Sequence, residues 1–271
     1  MTKLTYGLAF SLPLLLIGCG GGGGGSSSSS DGGNDGTSTA ACRSIDELPG
    51  NAKATGRYEG SLTMKGVEYT NAYAFIGPDG KFRLIAGSGT PGQVSYISGQ
   101  FENGDSTLAD PDATAYFAND GDATQEPVDI AGTFDSKSEI SLTSDDALAV
   151  QANMDYVEPP SGHCMESGGF SDTYTDSATN TEEPTSLTFG TDNTVTGQTI
   201  YNCRVSGNVD SYTVEGGLFF ANLELSNCEQ AGFDGNYQAI GGFVFDQTGT
   251  SRLVNMIIEN DEFALYSQLE R

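Results

Sequence analysis

The sequence predicts an all-β protein in which two small antiparallel domains, each a β-barrel or a β-sandwich, follow a disordered tether. Two observations support this fold class. Apolar and polar residues alternate over short stretches separated by turn sequences, and no stretch keeps a helical period. The chain also contains 37 glycines, and each would weaken a helix by about 1 kcal/mol relative to alanine.

The amino terminus has the layout of an export signal, which we assign to residues 1–18. A single lysine, Lys3, precedes an apolar stretch that is too short and too often interrupted to span a bilayer. The stretch ends in Leu16-Ile17-Gly18-Cys19, which resembles the lipobox of bacterial lipoprotein precursors. The resemblance implies cleavage before Cys19, a covalent diacylglycerol and an acyl chain on that cysteine, and a lipid anchor in the outer membrane, facing the periplasm or the cell surface.

Residues 19–41 have the composition of a flexible linker. After the cysteine, a run of glycines and a run of serines lead into a mixture of Gly, Asp, Asn, Ser and Thr that cannot bury a core. The glycines do not fit a phosphate-binding loop, because no strand precedes them and no lysine or helix follows. We expect the linker to let the folded region clear the lipid surface.

The folded region divides, in our interpretation, into an N-terminal β domain at 42–160 and a C-terminal β domain at 161–271. The segment Glu158-Pro159-Pro160-Ser161-Gly162 predicts the boundary, because two prolines next to serine and glycine interrupt strand pairing. The alternative is one continuous sandwich.

The clearest hairpin lies in the N-terminal domain. Tyr73 and Phe75 alternate with alanines, Pro78-Asp79-Gly80 supplies a turn, and Phe82 and Leu84 alternate with basic residues. Gln100-Phe101-Glu102-Asn103-Gly104 predicts another turn. In the C-terminal domain, two stretches each place apolar residues on one face: Phe219, Ala221, Leu223 and Leu225, and then Val254, Met256 and Ile258.

A weak internal repeat supports curved antiparallel sheets. The segments 97–101 (ISGQF) and 130–134 (IAGTF) match, and 205–209 (VSGNV) is similar to both. A glycine between inward apolar residues suits a strand that bends or that a neighbour approaches closely.

Two further segments read as strand openings. They are Gly56-Arg57-Tyr58-Glu59-Gly60 and Gly235-Asn236-Tyr237. A glycine followed two positions later by an aromatic residue resembles the opening of lipocalin-like barrels, with tyrosine here in place of tryptophan.

The cysteines other than Cys19 predict disulfides, since an exported chain enters an oxidising compartment. Four cysteines allow three pairings. We favour Cys203 with Cys228, because two strands can be read between them, and hence Cys42 with Cys164. A zinc site is disfavoured because the chain has no Cys-x-x-Cys pair and one histidine, His163.

The charge excludes one class of partner. The chain carries 37 acidic and 11 basic residues, for a formal net charge of −26. Such a surface repels nucleic acids and anionic head groups, which need lysine and arginine for binding. Calcium remains a weak candidate at the acidic cluster Asp110, Asp112, Asp120 and Asp122, which does not fit the spacing of a calcium loop. We therefore predict no metal and no cofactor beyond the lipid.

The residues predict no catalytic constellation. His163 lies beside Cys164 at the expected boundary, and no serine lies in a nucleophile elbow. We therefore expect a non-enzymatic binding or structural protein of the envelope, whose partner is an envelope protein or a polysaccharide. One alternative is a carrier of a small apolar ligand, with a cavity lined by Tyr58, Tyr73, Phe75 and Phe101. A second alternative is a hydrolase of envelope polymers that uses paired carboxylates.

Overall fold

The computed structural model describes residues 43–87, 94–102, 104, 107–119, 122–158, 171–176, 185–199, 202–211, 215–245, 251–260 and 264–271. Most of these residues lie in strands, which form two closed antiparallel barrels of eight strands each. The predicted pair of small all-β domains is confirmed, and the alternative of one continuous sandwich is wrong. The predicted signal and linker, residues 1–41, lie outside the described residues.

The first barrel is built from strands that pair in chain order, and its last strand returns to its first. The strands are β1 (Gly56–Met64), β2 (Val67–Ile76), β3 (Lys81–Gly87), β4 (Val94–Gln100), β5 (Thr107–Asn119), β6 (Asp122–Asp135), β7 (Glu139–Thr143) and β8 (Gln151–Tyr156). The predicted turn at Pro78-Asp79-Gly80 joins β2 to β3, and its Gly80 N–H donates to the carbonyl of Gly77 at 3.0 Å.

The second barrel follows the same up-and-down order, with β16 closing onto β9. Its strands are β9 (Asp172–Thr175), β10 (Ser186–Phe189), β11 (Thr194–Gln198), β12 (Arg204–Ser211), β13 (Leu218–Ser226), β14 (Gly235–Phe245), β15 (Ser251–Glu259) and β16 (Ala264–Glu270). The expected boundary at 158–162 falls between the two barrels, after β8 and before β9.

Each barrel has its own apolar interior, formed by the inward side chains of alternate strand residues. In the first barrel, Phe82 and Leu84 point inward as the hairpin pattern predicts. In the second, the two predicted apolar faces on β13 and β15 are both buried. Burial of these faces is the main stabilising term for a barrel of this size.

The glycines of the internal repeat lie where two strands approach closely. A Cβ atom on Gly132 would lie 2.1 Å from the backbone oxygen of Ser141, and one on Gly207 would lie 2.2 Å from that of Asn222. On Gly99 it would lie 2.0 Å from a carboxylate oxygen of Asp110. The prediction that these glycines permit close strand approach is confirmed.

The two predicted strand openings share one local structure. Strand β1 begins at Gly56 and β14 begins at Gly235, each after a short 3-10 helix, Gly50–Ala54 and Ala231–Phe233. The Tyr58 hydroxyl donates to the carbonyl of Ala54 at 2.8 Å, and the Tyr237 hydroxyl donates to that of Phe233 at 2.9 Å. Each tyrosine therefore ties the 3-10 helix to the strand that follows it.

The two barrels pack through their outer walls. A third apolar cluster joins residues of β2 to β5 with residues of β13 to β15, and Tyr96 stacks on Tyr116 within it with ring centroids 4.1 Å apart. Its members are Phe75, Ile85, Tyr96, Tyr116, Leu218, Ile240 and Ile257. Beside it, Arg83 of β3 forms an ion pair with Glu259 of β15. We call this contact region the inter-barrel joint.

The segment before β1 is fixed to both barrels. Glu215, just before β13, donates its N–H to the carbonyl of Arg43 at 3.0 Å. Its carboxylate accepts hydrogen bonds at 3.1 Å from the Ser44 hydroxyl and the Ile45 N–H, and pairs with Lys137 between β6 and β7. Among the described residues, no helix has both the length and the apolar composition needed to cross a membrane.

Candidate binding groove

The second barrel carries a groove on its outer wall, beside the inter-barrel joint. The groove has a volume of about 670 Å³, and most of its lining side chains are amides, carboxylates or hydroxyls. We call it the polar groove, and its lining residues are Ser206, Gly207, Asn208, Asn222, Leu223, Glu224, Asn236, Tyr237, Gln238, Glu259 and Asn260.

Strand register arranges the polar side chains in two rows across neighbouring strands. The first row is formed by Asn208, Asn222, Gln238 and Glu259, which are successive register partners on β12, β13, β14 and β15. The second row lies two residues further along the strands and is formed by Ser206, Glu224 and Asn236. Because alternate strand residues share a face, both rows lie on the outer wall.

The barrel interior holds the groove in place from behind. Leu223 and Tyr237 lie between the two rows in sequence, and both side chains are buried in the second core. The polar side chains therefore stand on strands that a packed apolar core fixes on the other face. Sites built on strands keep their geometry better than sites on loops.

The exposed hydrogen-bonding groups of the groove are mainly side-chain amides. Asn208, Asn222, Asn236 and Gln238 are exposed, and the Asn222 amide donates to an Asp210 carboxylate oxygen at 3.4 Å. A side-chain amide offers two donors and one acceptor oxygen, so it can match a ligand group that both donates and accepts. No residue that lines the groove is basic.

Glu259 connects the groove to the inter-barrel joint. It ends the first row, and its side chain, about 11% exposed, pairs with that of Arg83, about 8% exposed. Burial raises the pKa of the nearby Tyr116 hydroxyl, and the negative charge of Glu259 raises it further. The guanidinium of Arg83 also donates to the carbonyl of Phe82 at 2.6 Å, so the pair is fixed to the backbone of the first barrel.

In the acidic cluster that was the weak calcium candidate, one carboxylate already accepts hydrogen bonds from backbone N–H groups. Asp110 is buried, and its carboxylate accepts from the N–H of Gln100 at 2.7 Å and from that of Asp112 at 3.0 Å, at a bulge of β5. Asp112 is exposed, whereas Asp120 and the side chain of Asp122 lie outside the described residues. Within the described part of the chain, no group of three or more His, Cys, Asp or Glu side chains could hold a metal ion.

The cysteine predictions are resolved for one pair. Cys203 and Cys228 form a disulfide, with Cα atoms 4.0 Å apart, that joins the ends of the β12–β13 hairpin, as predicted. Cys42, Cys164 and Cys19 lie outside the described residues, and so does His163. The second disulfide and the lipidation therefore stay predictions.

The four aromatic residues expected to line a carrier cavity do not lie together. Tyr58 and Phe101 are packed in the first core, and Phe101 stacks on Phe82. Phe75 belongs to the inter-barrel joint, and Tyr73 lies beside the Arg57 guanidinium, 5.8 Å from its ring centroid. The expectation that these four line one cavity is wrong, because β2 places Ala72 and Ala74 in the first core and Tyr73 and Phe75 outside it.

The sequence reasoning missed the polar groove, although a signal for it was present. Three strands of the second barrel carry polar side chains at alternate positions, Ser206 with Asn208, Asn222 with Glu224, and Asn236 with Gln238. Each pair alone is typical of a solvated strand face. Only the strand register shows that the pairs adjoin one another.

No known protein similar to this chain indicates what the groove binds. Comparisons of the chain with protein-family models, with curated proteins and with solved structures found no match.

Proposed function

We propose that this chain is a lipid-anchored protein of the cell envelope that binds a macromolecular partner through the polar groove. The observation that carries the proposal is the groove itself, in which two rows of hydrogen-bonding side chains stand on the outer wall of a closed barrel. A surface of this kind provides recognition through several hydrogen bonds in fixed positions.

A binding role fits the chemistry of the groove better than a catalytic one. General acid or base catalysis needs a titratable group that can exchange its proton with a substrate. Of the two glutamates that line the groove, Glu259 is held in the ion pair with Arg83, so Glu224 is the one exposed carboxylate of the lining. A single carboxylate does not supply the pair of acid and base that glycoside hydrolysis uses. The other polar lining side chains are five amides and the hydroxyls of Ser206 and Tyr237, which hold ligands but do not exchange protons near neutral pH.

The anchor part of the proposal is based on the leader and the linker. A lipidated Cys19 would hold the chain at the membrane, and residues 20–41 would give it reach. The described chain begins at Arg43, whose carbonyl accepts from the N–H of Glu215, and Glu215 also pairs with Lys137 of the first barrel. The linker would therefore join the folded part at a segment that contacts both barrels, and it would carry both barrels together.

Capture from envelope extracts tests the binding role. The full chain, a groove variant Asn222→Ala/Gln238→Ala and a control variant Asn153→Ala/Gln151→Ala are each crosslinked to envelope material. The control removes the same two amides from exposed positions of β8 on the first barrel. We expect the groove variant to lose the captured partner and the control to retain it. Equal capture by all three chains would disprove a role for the groove.

Metabolic labelling tests the anchor. We expect the unaltered chain to incorporate radiolabelled palmitate and to fractionate with membranes, because the acyl chains attach to Cys19. The Cys19→Ala variant should lose both properties, whereas Cys203→Ala should keep the label. A Cys19→Ala chain that still carries palmitate would remove the lipoprotein part of the proposal.

A further inference from the structure

We infer that the ligand of the polar groove is an uncharged, hydroxyl-rich polysaccharide. The inference rests on the proposed function, because it names the partner class for the same groove. It follows from the kind of groups in the groove, their spacing, their charge and the topology of the wall that carries them.

The hydrogen-bonding groups of the groove match those of sugars. A sugar hydroxyl is both donor and acceptor, and a pyranose ring carries such groups around its edge. Asn208, Asn222 and Gln238 in the first row, and Asn236 in the second, offer donors and acceptors together. A ligand with only acceptors would leave the amide oxygens without hydrogen bonds, and a ligand with only donors would leave the amide N–H groups without them. Such unpaired groups weaken binding when water is displaced.

The spacing of the rows fits a chain rather than a single small molecule. Neighbouring strands lie about 4.8 Å apart, so the four strands of the first row span roughly 14 Å. The volume of about 670 Å³ is also in the range of sites for ligands of several rings. Because the amides of both rows are exposed, the groove is open to solvent along its length, as a polymer that enters and leaves it requires.

The charge of the groove favours a neutral polysaccharide over an acidic one. Glu224 and Glu259 line the groove, and no lining residue is basic. The net charge of −26 adds a long-range field that repels polyanions. An acidic polysaccharide would therefore meet the exposed carboxylate of Glu224. The carboxylate of Glu259 already holds the nearby Arg83 guanidinium in an ion pair, so no lining cation is left to pair with the charge of the ligand.

The topology disfavours a protein partner. An extended peptide binds by adding a strand to a free sheet edge, and a closed barrel wall offers none at β12 to β15. Protein interfaces also depend on aromatic and arginine anchors that enter pockets. The aromatic residue of the groove, Tyr237, is buried in the core and ties β14 to its 3-10 helix.

Affinity electrophoresis tests the inference with defined probes. The full chain, purified in detergent, is run through gels that contain dextran, galactomannan or a soluble β-glucan as neutral probes, and alginate or heparin as acidic probes. We expect retardation by at least one neutral polysaccharide and by neither acidic one. The groove variant Asn222→Ala/Gln238→Ala should bind at least about tenfold more weakly, since each lost hydrogen bond costs a factor of about five.

The matched control Asn153→Ala/Gln151→Ala should bind the neutral probe as the unaltered chain does. Circular dichroism of all three chains checks that the barrels remain folded. No retardation by any neutral probe, or equal retardation of the groove and control variants, would overturn the inference.

The failure of this inference is distinguishable from failure of the proposed function. If the crosslinking experiment captures a protein in a groove-dependent manner while no glycan binds, the polysaccharide inference is wrong and the binding role stands. If neither experiment depends on Asn222 and Gln238, both are wrong.

Discussion

Arg83 of the first barrel and Glu259 of the second form an ion pair that is buried between the two outer walls. The pair lies beside the apolar cluster of the inter-barrel joint, and Glu259 also lines the polar groove. One residue therefore belongs both to the contact that holds the barrels together and to the surface proposed to bind a partner.

Removal of one partner of this pair should be strongly destabilising. In Arg83→Met the carboxylate of Glu259 stays buried without its counter-charge, which typically costs about 3–5 kcal/mol of unfolding free energy. The double variant Arg83→Met/Glu259→Met should recover most of this loss, because it leaves no buried charge. Urea denaturation measures all three chains.

A surface ion pair provides the control for that experiment. Lys65 pairs with Glu126, but their side chains are 44% and 38% exposed, so Lys65→Met should cost less than about 1 kcal/mol. If Arg83→Met were no more destabilising than Lys65→Met, the joint would not depend on the buried pair.

The Cys203–Cys228 disulfide should stabilise the second barrel by restricting the unfolded chain. It joins residues 25 positions apart, and loop closure of that length contributes roughly 3.5 kcal/mol in the chain-entropy model. We expect the free energy of unfolding of Cys203→Ser/Cys228→Ser to be lower than that of the unaltered chain by this amount, measured by urea denaturation without added reductant. A loss below about 0.5 kcal/mol would show that the hairpin is already constrained without the bridge.

A methyl group at Gly132 should destabilise the first barrel. Its Cβ would lie 2.1 Å from the backbone oxygen of Ser141, and neither strand can retreat without disturbing the ladder between β6 and β7. We expect Gly132→Ala to cost about 1–3 kcal/mol by thermal or urea denaturation. Gly104→Ala is the control, since its nearest contact would be 3.3 Å, and equal losses in the two variants would contradict the steric explanation.

These glycines also show what the sequence could and could not predict. The repeat around Gly99, Gly132 and Gly207 predicted close strand approach from local pattern alone, and the hairpin at Pro78 was predicted in the same way. The alternation of apolar and polar residues along a segment can be read from the sequence, and it is enough to predict a strand and its inward face.

The inter-barrel joint and the groove could not be predicted in this manner. Phe75 and Tyr96 point outward, yet they are buried, because the second barrel covers them. Which outer face is covered, and which strands lie side by side at Asn222 and Gln238, depends on contacts between residues distant in sequence. Tyr73 and Phe75 were therefore assigned to an interior that they do not occupy, whereas Tyr58 and Phe101 do lie in the first core.

The Glu215 contact should make stability depend on pH below the ordinary glutamate range. Burial opposes its ionisation, but the hydrogen bonds from Lys137, Ile45 and Ser44 outweigh burial, and the pKa of Glu215 lies below its ordinary value of 4.5. A lowered pKa in the folded state contributes stability above pH 4.5, and this contribution is lost as pH falls through the folded-state pKa.

The variant Glu215→Gln isolates this contribution. It should be less stable than the unaltered chain at neutral pH, and the difference in urea midpoint should shrink as the pH falls from about 5 toward 3. A difference that stays constant over this interval would mean that the charge of Glu215 does not contribute. Lys137→Met should reduce the same pH dependence, because the hydrogen bond and the charge of Lys137 both lower the pKa of Glu215.

The closure of the second barrel is uneven. Strand β16 pairs with β15 from Ala264 to Glu270, whereas in the described residues its register with β9 consists of Glu270 with Thr175, next to an ion pair between Arg271 and Asp172. The contact between β9 and β16 is therefore the weakest part of the described barrel wall. Deuterium from the solvent should therefore replace the amide hydrogens of β9 before those of β13 or β14. Local separation of β9 from β16 requires far less free energy than global unfolding.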